Sequence, residues 1–95
     1  MIEHMVWIKF KPDVSPQCID EHLSNLRALP RHVPGIMDLK AGANFTDRSK
    51  GFTHGLSVTF NDRAGLESYL AHPDHVKAAV PLRKDAQTMA MDVEF

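Results

Sequence analysis

Phe52-Thr53-His54-Gly55-Leu56-Ser57-Val58-Thr59-Phe60 alternates without interruption. Phe52, His54, Leu56, Val58 and Phe60 share one face, and Thr53, Gly55, Ser57 and Thr59 share the other. A period of two with one apolar side and one small polar side predicts a β-strand over residues 52–60. The polar loop Thr46-Asp47-Arg48-Ser49-Lys50-Gly51 ahead of it ends in glycine and predicts a chain reversal from an earlier strand over 36–45. In that strand, weakened by Gly42, Met37, Leu39, Ala41, Ala43 and Phe45 are expected on one face.

Working outward, Ile2, His4, Val6, Ile8 and Phe10 alternate with Glu3, Met5, Trp7 and Lys9, which predicts a first strand whose second face is not wholly polar. Residues 87–95 close the chain as a fourth, with Met89, Met91, Val93 and Phe95 on one side and Thr88, Ala90, Asp92 and Glu94 on the other. Ser15-Pro16 offers an N-cap followed by proline at the first helical position. Ile19, Leu23, Leu26 and Leu29 then recur at helical spacing until Pro30–Gly35 ends the element. Asn61-Asp62 caps a second helix over 63–71, with Leu66, Tyr69 and Leu70 expected inward. Pro73 starts another helical piece over 74–84, made irregular by Pro81, with Val76, Ala79, Val80 and Leu82 as expected core contacts.

The order βαββαβ is the split βαβ arrangement: one α+β, ferredoxin-like domain over residues 1–95, with a four-stranded antiparallel sheet and helices on one face. The other face leaves Met5 and Trp7 uncovered. Burying that face against its own copy removes apolar surface at about 25 cal/mol per Å², so a homodimeric α/β barrel joined through the sheet is expected.

Eleven Lys plus Arg against twelve Asp plus Glu give a net charge of -1, with no basic stripe, so nucleic acid and membrane surfaces are not expected partners. The start Met1-Ile2-Glu3-His4 lacks the basic and apolar regions of a secretion signal, and a cytoplasmic location is expected. Cys18 is the one cysteine, which predicts neither a disulfide nor a Cys-based zinc site; as a nucleophile it lacks a neighbour that would lower its pKa.

Six histidines in 95 residues supply most of the chemistry. By strand parity His4 and His54 point toward the helices, and Tyr69, His72 and His75 follow at steps of three, so these groups are expected around one cavity. A neutral imidazole accepts a proton from carbon or oxygen, and a phenol donates to a carbonyl or developing enolate. Each residue also has a plainer use: His4 and His54 as core histidines bonded to backbone, Tyr69 as packing, His72 as a cap at the helix break, His75 as a surface residue. His22 and His32 are expected at the surface. No metal is expected, since the spacing lacks a pattern such as His-Glu-x-x-His and no acidic ligand accompanies the imidazoles. There are no paired carboxylates, Ser-His-Asp order, Gly-rich phosphate loop or dinucleotide fingerprint, so triad hydrolysis, phosphoryl transfer and hydride transfer are disfavoured, and no cofactor is expected.

Gly51–Phe60, followed by Tyr69-Leu70-Ala71-His72-Pro73-Asp74-His75 and preceded by His4-Met5-Val6-Trp7-Ile8-Lys9-Phe10, resembles the stress-responsive A/B barrel (Dabb) family over nearly the whole chain. The resemblance implies a dimeric ferredoxin-like α/β barrel. One branch, polyketide cyclases of the olivetolic acid cyclase type, closes rings on linear poly-β-keto thioesters by aldol-type chemistry. By that resemblance His75 is the general base, Tyr69 its partner and substrate orienter, and His4 and His54 supporting pocket residues. The expected function is binding of a small, partly apolar carbonyl compound between sheet and helices, with cofactor-free proton transfer. Two alternatives stand beside it: a non-catalytic stress-associated barrel that binds a ligand or partner, and a cofactor-free monooxygenase-like barrel.

Overall fold

A computed structural model describes all residues, 1–95. It runs β1 (Ile2–Phe10), α1 (Pro16–Arg27), a 3-10 turn (Leu29–Arg31), β2 (Ile36–Ala43), β3 (His54–Phe60), α2 (Arg63–Ala71), α3 (Pro73–Asp85) and β4 (Ala86–Glu94). The four strands form one antiparallel sheet in the order β2-β3-β1-β4. This is the ferredoxin-like α+β arrangement, with the helices on one face.

Local chemistry sets the boundaries. Ser15 accepts from the backbone N–H of Cys18 at 3.1 Å, and Asp62 from that of Gly65 at 2.9 Å, so both caps act as expected. His72 is both the C-cap of α2 and the N-cap of α3; its Nδ1 accepts from the Asp74 N–H at 3.1 Å, and Pro73 sits where no helical N–H is needed. The reversal into β3 passes through Lys50 (φ 56) and Gly51 (φ 90), and a Cβ at residue 51 would meet Lys9 Nζ at 3.3 Å.

In β1 and β3 the expected parity holds. His4 lies opposite Val58 and His54 opposite Ile8, all on the helix-covered face. Ile8, Val58, Phe60 and Tyr69 are fully buried there beside Leu26 and Leu82, and burial of each large side chain stabilises the fold by about 1.5–3 kcal/mol.

Four expectations are corrected. In β2 an irregularity between Ile36 and Asp38 leaves Met37 outside the register, so Ile36 and Leu39 face the core while Met37 is exposed. Phe45 lies beyond the strand end and is 95% exposed. In α2, Leu70 is turned outward while Tyr69 is buried. In α3 the buried stripe is His75, Ala78, Ala79 and Leu82, at i, i+3, i+4 and i+7. Val76 and Val80 fall one residue off that stripe, about 100° around the helix, and are exposed.

On the other face, Met5 pairs with Met91 and Trp7 with Met89. Met89, Met91 and Val93 are exposed, and Glu3 accepts hydroxyl hydrogen bonds from Ser57 and from Thr59 (2.7 Å). The result is an apolar sheet surface that no helix of this chain covers.

Candidate active site

Between the sheet and the helices lies a cavity of about 220 Å³, bounded by β1 (His4, Val6), β4 (Thr88, Ala90, Asp92), α2 (Tyr69) and α3 (His75, Arg83). Its polar groups form a chain of rings. His4 meets Tyr69 edge-on with centroids 5.9 Å apart, and Tyr69 meets His75 at 4.3 Å. Phe60 flanks Tyr69 at 5.2 Å. Three elements therefore converge on the Tyr69 ring, which α2 delivers because its buried stripe ends one turn before the break at His72.

The hydrogen bonds give each ring a role. His4 Nδ1–H donates to the Asp92 carboxylate, 2.5 Å away, which orients the ring. Likewise His75 Nδ1–H donates to the Leu70 carbonyl at 3.2 Å. Burial pushes the His75 pKa down, opposed by that backbone bond and aided by the charges of Arg83 and His4, so the ring is neutral near pH 7 with a free lone pair. The Tyr69 pKa is pushed up to about 12 by burial, which keeps its proton in place. Its hydroxyl is the one buried side-chain polar atom without a hydrogen-bond partner.

Stability carries a mark of this arrangement. A buried neutral histidine binds fewer protons than the same residue in the unfolded chain over the interval between its depressed value and the ordinary 6.5. Stability is therefore complete above that interval and falls as pH drops through it. His54, also lowered by burial, contributes with the same sign. Urea midpoints measured across this range should show a slope that is shallower in His75→Gln; an unchanged slope would mean that His75 is solvated.

The structure brings His4, Tyr69 and His75 together but not His54. His54 lies opposite Ile8 while His4 lies opposite Val58, four residues apart along the sheet, roughly 13 Å. It sits edge-on to Phe10 at 5.1 Å, bonds Thr53 Oγ1 at 2.9 Å, and lines a separate groove of about 540 Å³ with Phe45, Phe52, Met5 and Trp7. That groove is larger than the ring-lined cavity and runs along β2, β3 and β1 with residues of both strand parities in its lining, without Tyr69 or His75. His72 caps α3, and His32 is exposed.

Two sequence expectations fail here. The imidazoles do have an acidic companion, Asp92; its signal was parity, since Asp92 is on the β4 face opposite the methionines and lies across from His4 once β4 is set beside β1. His22 is buried rather than exposed: its ring stacks on Phe10 at 5.8 Å, and its Nε2 donates to Asp85 at 2.7 Å. Asp85 also accepts from the Cys18 thiol at 3.4 Å, giving a Cys/His/Asp cluster between α1 and the end of α3. The lone cysteine thus has neighbours that carry potential metal-ligating atoms.

Residues 2–95 match the stress responsive A/B barrel domain family. The chain belongs to it. Olivetolic acid cyclase of Cannabis sativa is 29% identical over 77 residues, covering 79% of this chain and 76% of the cyclase. The solved structure of the At3g17210 protein of Arabidopsis thaliana superposes with a TM-score of 0.91 at 23% identity, covering 100% of this chain and 95% of that one. A dimeric ferredoxin-like protein from Jannaschia sp. CCS1 matches with a TM-score of 0.86 at 26% identity over 99% of this chain and 98% of that one. No helix of this A/B barrel domain is long and apolar enough to cross a membrane.

Proposed function

We propose that the protein is a homodimer through the uncovered sheet face and binds a small, partly apolar carbonyl compound in the ring-lined cavity, where it moves protons without a cofactor. One observation carries this reading: the Tyr69 hydroxyl is buried, protonated and unpartnered. A buried donor without an acceptor costs about 1–3 kcal/mol, and a carbonyl oxygen in the cavity is the acceptor that would satisfy it. Olivetolic acid cyclase, a named cyclase among the relatives, supports the reaction class.

In this reading His75 Nε2 removes a proton from the carbon between two carbonyls. Tyr69 O–H donates to the oxygen on which the enolate charge collects. The enolate carbon attacks a second carbonyl of the same chain, a C–C bond forms as that carbonyl's π bond breaks, and the resulting alkoxide takes back the proton held on His75, which returns to its neutral form. Asp92 fixes the tautomer and orientation of His4, which supports the pocket beside Tyr69. At about 220 Å³ the cavity is below the ~300–1,000 Å³ of drug-sized sites, so it suits the reacting end of such a chain. His54, outside the cavity, has no step in this scheme. Dimerisation is supported by the exposed Met89, Met91 and Val93 and by the dimeric relative from Jannaschia.

Tyr69→Phe separates binding from packing. The variant without ligand should be more stable than the parent by about 1 kcal/mol, because an unsatisfied hydroxyl is removed from a buried site. A short linear β-diketone should raise the melting temperature of the parent and leave that of Tyr69→Phe nearly unmoved, as mass action requires. A diketone that shifts neither protein, or both equally, sinks the reading; a shift without turnover leaves a ligand-binding barrel.

A further inference from the structure

Cys18, His22 and Asp85 do not line the ring cavity, and nothing in the proposed chemistry uses them. Cys18 and His22 are at i and i+4 on α1, the helical spacing that aims two ligands at one point. Asp85 arrives from the last residue of α3. Sγ, Nε2 and Oδ2 all lie within 4.8 Å of one another. The Sγ–Oδ2 and Nε2–Oδ2 separations are 3.4 and 2.7 Å. In a tetrahedral zinc site with bonds of about 2.0–2.3 Å, ligand atoms stand roughly 3.3–3.7 Å apart, so Nε2 and Oδ2 must separate by about half an ångström and Sγ and Nε2 must close by at most about 1.3 Å.

We propose that Cys18, His22 and Asp85 form a zinc-binding site with three protein ligands and a fourth position open to water. A thiolate, an imidazole and a carboxylate are the donor mixture that selects zinc over hard oxygen-seeking cations. The site has the further parts such a centre needs. The His22 ring is held by its stack on Phe10 with planes 30° apart, and His22 is buried. Access exists, since Cys18 and Asp85 line an open cleft of about 360 Å³ with Asp13 and Ser15. The nearest cations belong to Lys11 and Lys84, which line the same cleft; the Lys11 ammonium donates to the Lys84 carbonyl at 2.6 Å. A zinc ligand must be a thiolate, so binding the metal releases the Cys18 proton. The bound ion would tie the start of α1 to the α3–β4 junction, 67 residues later.

Cobalt(II) is the decisive probe, because a thiolate ligand gives a near-ultraviolet charge-transfer band and Cys18 is the chain's one cysteine. Tag-free protein stripped with a chelator should develop that band, with visible bands of tetrahedral cobalt, at one equivalent, and zinc should abolish both. Cys18→Ser keeps a hydroxyl that can still donate to Asp85, so the junction survives; it should lose the band, and zinc affinity should weaken by at least about 100-fold. Zinc should raise the melting temperature of the parent but not of Cys18→Ser. Absence of the charge-transfer band in the parent, or zinc affinity unchanged in Cys18→Ser, would overturn the assignment and leave the cluster as a hydrogen-bonded clasp.

Discussion

A His75→Gln protein should lose turnover on a linear poly-β-keto thioester by about 10²–10⁴-fold while its fold and assembly are retained. The expectation follows from one ring nitrogen. His75 spends Nδ1–H on the Leu70 carbonyl, which leaves Nε2 as an acceptor beside Tyr69. Burial keeps the ring neutral near pH 7, where that lone pair can take a proton. Glutamine can still donate an amide N–H to the Leu70 carbonyl and fill similar space, so packing is largely kept while the basic nitrogen is gone. Turnover should fall through kcat with KM little changed, because the base acts on the transition state and not on ground-state binding. Equal kcat in parent and variant would remove His75 from the role of base; a parent that binds the thioester without turning it over would leave binding as the function.

In the proposed homodimer, Trp7→Glu should yield a monomer that remains folded. Trp7 and Met5 face away from the helices, paired with Met89 and Met91 on β4. In an interface related by a two-fold axis each such residue is presented by both subunits, so one substitution alters the contact twice. A buried tryptophan anchor is worth about 2 kcal/mol or more, which is about 30-fold in dissociation constant, and an unpaired carboxylate adds a desolvation cost. Light scattering coupled to size exclusion should read half the parent mass, with far-ultraviolet circular dichroism unchanged because Trp7 lies outside the buried core. A parent that is monomeric at high concentration, or a variant that stays dimeric, would refute the sheet-face interface.

Much of this was legible in local alternation. The strands over 2–10 and 52–60 announce themselves by period two, and the caps at Ser15 and Asp62 by their chemistry, because both signals depend on residues a few positions apart. The same parity put His4 and His54 on the helix-covered face. It could not tell that they stand four residues apart along the sheet, since register between strands distant in sequence is a tertiary property. The outward turn of Leu70, Val76 and Val80 was equally hidden, because several apolar columns in one helix compete for the core and only packing selects the winner.

The sequence by itself therefore determined the βαββαβ order, the apolar inner face and the Tyr69–His75 spacing, all of which are short-range consequences of backbone geometry. Only the tertiary structure decided that Asp92 would hold His4, that His22 would be buried against Asp85, and that the Tyr69 hydroxyl would be left without a partner. Those outcomes join groups from 63 to 88 positions apart in the chain or depend on what fails to reach a buried atom, and such relations exist only once the sheet and helices have packed together.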